Sequence, residues 1–176
     1  MRVNPYTEPL LQNVTELLNR PVTTAAELQD RWITRDMPTQ HDATAADLRH
    51  VREFLQQWET LVDAATDEDR VSVLNRLLAR YTTSPSITNH DGSGWHLHYR
   101  AADAGFAATL SGATSAAAAH YLTDRGLHRI RRCARADCAY AFVDFTRPGT
   151  QKYCSHSCAN RDAVRRHRAA SGRRGD

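Results

Sequence analysis

The chain has 176 residues, 24% charged and 41% hydrophobic, with 23 Lys and Arg against 20 Asp and Glu for a formal net charge of +3. That balance excludes a disordered polyelectrolyte, and no apolar run approaches the roughly eighteen residues a membrane-spanning helix needs. The length suits one ordinary domain plus a small appendage, and charge divides the chain the same way: residues 1–124 carry 10 basic and 16 acidic side chains, net −6, and residues 125–176 carry 13 and 4, net +9.

Met1 leads into Arg-Val-Asn-Pro-Tyr with no apolar signal core, so the expected compartment is the cytoplasm. Leu10, Leu11, Val14, Leu17 and Leu18 then mark a first helix that ends before Pro21. Three further helix starts share a Thr N-cap followed three positions later by an acid: Thr24 and Glu27, Thr44 and Asp47, Thr66 and Asp69. Leu28, Trp32 and Ile33 give the short helix after the first of these. After the second, Leu48, Val51, Leu55, Trp58, Val62 and Ala65 form an apolar stripe; after the third, Val71, Leu74, Leu78 and Tyr81 do the same.

Between Thr82 and Arg100 the turn formers Pro85, Asn89, Asp91, Gly92 and Gly94 separate two short extended segments, which predicts a hairpin. An alanine-rich helix follows from Phe106 to Asp124, with Phe106, Leu110, Ala113, Ala117 and Tyr121 on one side and Gly126 closing it. Gly112 is an oddity in its middle, since glycine weakens a helix interior. Strands are expected over 127–132 and 140–145, a turn over Thr146–Gly149, and a last helix from Ser157 to about Ala170.

All four cysteines fall in that last stretch, as Cys133-x4-Cys138 and Cys154-x3-Cys158 with fifteen residues between the pairs. Two close pairs that can each approach an ion from one tight turn are the spacing of a four-thiolate zinc site. Two disulfides are the rival reading, and a reducing compartment disfavours them. Four thiolates leave no open coordination position, so one structural Zn2+ is expected rather than a catalytic one. The strand-knuckle-strand-helix order is that of a treble clef. On the helix, Arg161, Arg165 and Arg168 fall on one face with Arg166 and Lys152 beside them, and Asp162 can pair with Arg166. These five basic residues are the candidate nucleic-acid contacts, with Val164 expected to pack on Phe142 from the opposite face.

The segments Ile130-Arg-Arg-Cys-Ala-Arg-Ala-Asp-Cys138, Phe142-Val-Asp-Phe145 and Tyr153-Cys-Ser-His-Ser-Cys-Ala-Asn-Arg161 resemble the CGNR zinc finger family of bacterial proteins. Such fingers follow a helical domain of the ABATE type, which Thr24–Leu28 and the Trp95-x-Leu97-x-Tyr99 strand also resemble. The resemblance implies a stress-related, DNA-binding transcription regulator, with metal ligands at Cys133, Cys138, Cys154 and Cys158 and the Asn-Arg pair at Asn160 and Arg161. The family's glycine is Ala159 here, which favours an ordinary helical turn. Asn160 is expected to cap the knuckle backbone.

The fold expected is mainly α (α+β overall): a helical sensing or dimerisation domain with a small β-hairpin over 1–124, a small treble-clef-like four-cysteine zinc finger over 125–170, and a disordered tail over 171–176. His96 and His98 alternate along a strand and, with Trp58 and Trp95, are candidates to line a small-molecule pocket. No nucleophile elbow, phosphate-cradling glycine loop or zinc-protease helix motif occurs, so no enzyme is expected. The expected partner is DNA, with a small-molecule effector and a homodimer as further expectations and no membrane. The competing readings are a protein-interaction adaptor that docks an acidic partner, and a small-molecule-binding protein or enzyme acting through residues 1–124.

Overall fold

The alanine-rich segment is the hub of the molecule. In the computed structural model, which describes residues 6–35, 37, 41–89 and 94–172, it forms α5 (Phe106–Arg125), packed by α1 (Thr7–Asn19), α3 (Ala45–Val62) and α4 (Asp67–Tyr81). Helix α2 (Ala25–Ile33) lies against α3. Small side chains make this possible: Ala107, Ser111, Ser115, Ala116, Ala117 and Ala118 are all buried, so neighbouring helices approach on several sides rather than on the single side the spacing suggests. Gly112 belongs to the same logic, because a Cβ there would stand 2.7 Å from the backbone oxygen of Tyr81.

All three Thr caps form. Thr24, Thr44 and Thr66 each accept a hydrogen bond from the backbone N–H three residues on, and Thr44 with Asp47 completes a reciprocal capping box. Asp47 reaches further and accepts from the backbone N–H of Ala107, tying the start of α3 to the start of α5. The core then runs through Leu11, Leu17, Leu28, Phe54, Trp58, Leu61, Leu77, Leu110 and Leu122. Two stripes differ from expectation. In α4 the buried set is Arg70, Val73, Leu74, Leu77 and Tyr81, leaving Val71 exposed: the face that meets the core keeps Leu74 and Tyr81 of the predicted stripe but is rotated by a fraction of a turn toward Val73 and Leu77. In α3, Phe54 and Leu61 are fully buried and Leu55 only partly so.

The hairpin forms between β1 (Ser86–Thr88) and β2 (His96–His98), antiparallel with Ile87 opposite Leu97. Asp91 and Gly92 of its expected turn, and His90, lie outside the described residues. A second antiparallel pair, β3 (Ile130–Arg132) and β4 (Ala141–Val143), carries the knuckle. The first half of the expected 127–132 strand is instead a 3-10 turn, Leu127–Arg129, entered through Gly126 at φ +116°. The last helix, α6 (His156–Gly172), continues through Ser171 and Gly172, two positions assigned to a disordered tail by sequence.

Ile130, Ala141 and Val143 join the same apolar core as the helices. Asn19, the last residue of α1, pairs with the edge of β4 as a strand would: its amide donates to the Ala141 carbonyl at 2.9 Å and its carbonyl accepts from the Ala141 N–H at 2.8 Å. The knuckle hairpin is thus seated on the helical body. None of the described helices is long and apolar enough to cross a membrane.

Candidate metal centre and basic helix

The two cysteine pairs converge from different elements. Cys133 follows β3 and its N–H donates to the Tyr140 carbonyl at 2.8 Å, while the N–H of Cys138 donates to the Arg135 carbonyl at 3.0 Å, closing the first turn. Cys154 precedes α6 and Cys158 lies in its first turns. The N–H of Cys158 is capped by the Ser155 hydroxyl at 3.2 Å, and that of Cys154 points at the Cys133 sulfur at 3.4 Å. The first pair is further tied to the second by the Ala134 N–H, which donates to the Lys152 carbonyl at 2.8 Å.

One sulfur from each cysteine can be placed within 4.8 Å of the others, and no disulfide joins them. Cys138 to Cys154 and Cys138 to Cys158 are both 3.8 Å, and Cys154 to Cys158 is 3.6 Å. A tetrahedron of sulfurs about 2.3 Å from a central zinc has edges of about 3.8 Å, so the donor set fits that ion in number, chemistry and size. The clustered thiols pull one another's ionisation in opposite directions. Burial and the neighbouring sulfurs push Cys154 up to about 12, whereas the Ser155 hydroxyl holds Cys158 down to about 7. A divalent ion removes that conflict by favouring thiolate at all four.

Beside the metal centre lies a buried ionic knot. Asp144 is fully buried, and its carboxylate accepts from the Thr146 N–H at 3.0 Å, from the Thr146 hydroxyl and from the Gln151 N–H at 2.8 Å. Burial would raise its pKa, yet these bonds and nearby Arg129 hold it below the usual carboxylate range. Arg129 is also buried and donates to the Arg125, Asp144, Thr146 and Arg147 carbonyls. It leaves no room for a side chain at Gly149, which sits at φ +68°. An acid inside the apolar Phe142-Val-Asp-Phe145 run was the sequence signal for this knot.

A second feature that sequence reasoning missed joins the knuckle to α3. Arg132, immediately before Cys133, donates from Nε to Asp63 at 2.7 Å and from Nη2 to Asp63 at 2.8 Å and Glu59 at 2.7 Å, with Nη1 on the Ala139 carbonyl at 2.8 Å. Glu59 and Asp63 lie one turn apart at the end of α3, a spacing that sequence alone does not aim at anything.

Residues 14–145 match the ABATE family, described as "Putative stress-induced transcription regulator", and residues 129–171 match the CGNR zinc finger. The chain belongs to the ABATE family and carries a CGNR zinc finger. The two matches overlap over 129–145, the stretch that holds β3 and β4 and packs on both sides. A search of curated proteins finds no match.

On the CGNR finger, α6 is a projecting helix. Among its described residues only Cys158 and Asp162 are buried, and every residue from Ala163 to Ser171 is exposed. Val164, in the third turn, is 50% exposed and so is not the buried contact on Phe142 expected from the sequence. Asp162 anchors the helix instead, accepting from the Tyr153 hydroxyl at 2.7 Å, from Arg165 at 2.7 Å and from Arg166 at 3.0 Å. Those bonds lower its pKa to about 2. Of the five basic candidates, Arg165 and Arg166 thus lean back on Asp162, whereas Lys152, Arg161 and Arg168 are exposed and form no ion pair among the described residues. Asn160 is exposed and caps nothing among the described residues; Ser155 takes that role.

The proposed pocket residues are not gathered in one place. Trp58 is fully buried against Phe54, whereas Trp95 is 77% exposed beside the hairpin. His96 and His98 do share a side of β2, with their Nε2 atoms 3.1 Å apart. A cleft of about 740 Å³ lies elsewhere, between α1 and the CGNR finger.

Proposed function

We propose that this ABATE protein is a DNA-binding transcription regulator of the cytoplasm, without enzymatic activity, in which one structural Zn2+ held by Cys133, Cys138, Cys154 and Cys158 fixes α6 for nucleic acid. The observation that carries the reading is the projection of α6: a helix exposed from Ala163 to Ser171, with Arg161 and Arg168 in no ion pair among the described residues, on a segment of net charge +9. A bare basic helix standing off a rigid knuckle has the shape and charge to meet phosphates along a groove. Arg161, Arg168 and Lys152 make the primary contacts, and Arg165 and Arg166 join them at the expense of their bonds to Asp162. The helical body, including α1, α3 and α5, supplies sensing or dimerisation.

The test is binding of the zinc-loaded protein to random duplex at several salt concentrations. Affinity should fall log-linearly with salt, and replacing Arg161 or Arg168 by Ala should lower the slope by about one each if both meet phosphate. Salt-independent or absent binding would refute the reading. A second reading has one observation in its favour: Val164 lies exposed among the arginines, as suits an acidic amphipathic protein partner. A pull-down whose captured protein survives high salt and nuclease, and is lost with Val164→Ser, would favour it.

A further inference from the structure

The hairpin between α4 and α5 sorts its side chains by alternation. Ile87 and Leu97 stand opposite each other and are exposed, whereas His96 and His98 project from the other face and are half-buried. Two residues apart on a strand, their backbones are separated by about 7 Å, so the ring nitrogens meet only if both rings lean together. They do: the two Nε2 atoms are 3.1 Å apart. The tautomer of His96 is set from behind, because its Nδ1 lies 2.8 Å from the Gly94 carbonyl, which can only accept. In the neutral ring Nδ1 therefore carries the proton and Nε2 the lone pair, the arrangement in which a histidine binds a cation.

A hydrogen bond between the rings and a shared ion make different demands on their geometry. A straight N–H···N bond of 3.1 Å would hold the ring centroids about 5.4 Å apart, with roughly 1.15 Å from each nitrogen to its ring centre. Two rings that each place Nε2 about 2.05 Å from one ion, at the same nitrogen separation, subtend about 100° there and bring their centroids to about 4.9 Å. The centroids are 4.9 Å apart, with the planes inclined at 59°. Both rings thus bend toward a common point. Imidazole nitrogen selects late first-row divalent cations over Mg2+ and Ca2+. Among the described residues no third His, Cys, Asp or Glu joins the pair, which leaves water to complete the coordination. Arg100, the next residue of the alternation, has left the strand and donates to the Ala101 carbonyl at 3.2 Å. Two neutral donors, with a cationic side chain two residues along, give an affinity far below that of four thiolates.

We propose that His96 and His98 form a second metal site, separate from the four-cysteine centre, which chelates one exchangeable Zn2+ or a similar late first-row divalent cation through both Nε2 atoms.

The probe is Zn2+ added to full-length protein that already holds one equivalent in the cysteine centre, followed by calorimetry and by imidazole 15N chemical shift. One further equivalent should bind with a dissociation constant on the order of 10–100 μM, moving both Nε2 resonances while Nδ1 of His96 stays protonated. Mg2+ should move neither. His96→Ala and His98→Ala should each weaken the second equivalent at least about tenfold and leave the first in place, with the amide shifts of Ile87 and Leu97 reporting that the hairpin persists. His167→Ala, on exposed α6, should change nothing. A second equivalent that leaves both Nε2 resonances unmoved, one that survives both hairpin variants, or none up to about 1 mM Zn2+ would overturn the site, and the first of these results needs no substitution.

Discussion

Replacing Arg132 by Ala tests whether the finger is fastened to α3 or merely rests on it. The wild-type guanidinium makes two bonds to Asp63 and one each to Glu59 and the Ala139 carbonyl, all between 2.7 and 2.8 Å. Arg132 is 30% exposed, and Glu59 and Asp63 are 50% and 49% exposed, so solvent screens the pairs and each is worth no more than about 1 kcal/mol. The carbonyl bond adds about 1 kcal/mol, giving an expected loss of about 2 kcal/mol for Arg132→Ala in urea denaturation of the zinc-loaded protein. A double-mutant cycle with Asp63→Ala should return a coupling of about 0.5–1 kcal/mol that shrinks at high salt. The pH dependence has a definite sign. The bond from Arg132 holds the Asp63 pKa below its usual value, so its contribution is fully present above the unfolded carboxylate value and lost only as pH falls through the lower folded one. Between about pH 6 and 8 the coupling is therefore flat, whereas metal affinity rises over that window as thiols ionise. A loss under about 0.3 kcal/mol, or a strictly additive cycle, would show that the latch holds nothing.

Gly112→Ala should destabilise by about 1–3 kcal/mol although alanine is the better helix former, because the added Cβ meets backbone at Tyr81 that has no room to yield; an unchanged or raised denaturation midpoint would contradict the packing. Cys158→Ser should abolish stoichiometric zinc, measured by elemental analysis, and unfold the finger while α5 and its neighbours keep their far-UV signal; full zinc retention would remove Cys158 from the ligand set. Asp162→Asn should free Arg165 and Arg166 and tighten binding to random duplex about threefold with a steeper salt slope; weaker binding would mean that Asp162 serves DNA contact by orienting those arginines rather than by withholding them.

Where chemistry is carried by neighbours in sequence, it was legible. The three Thr caps and the Asp162–Arg166 pair lie within four residues of each other, and the cysteine pairs have few ways to meet an ion except together. Backbone geometry decides such contacts before any tertiary packing. The buried face of α4 was misread because Val71 and Leu78 fit a helical period as well as Val73 and Leu77 do, and only the position of α5 chooses between them. The pocket drawn around Trp58 and Trp95 failed for the same reason: an aromatic residue announces burial or exposure only once its neighbours are in place.

The sequence by itself determined the four-thiolate cluster, the helix that starts on it and the concentration of positive charge there, since spacing and local hydrogen bonding suffice for all three. Only the tertiary structure decided which arginines are at liberty. Asp144 claims Arg129 and Arg131, and Glu59 and Asp63 at the end of α3 claim Arg132, while Asp162 takes its helix neighbours Arg165 and Arg166; Arg147, Arg161 and Arg168 form no ion pair among the described residues. Ion pairs act over a few ångströms of space regardless of distance along the chain, so the working face of this finger is defined by what the fold neutralises.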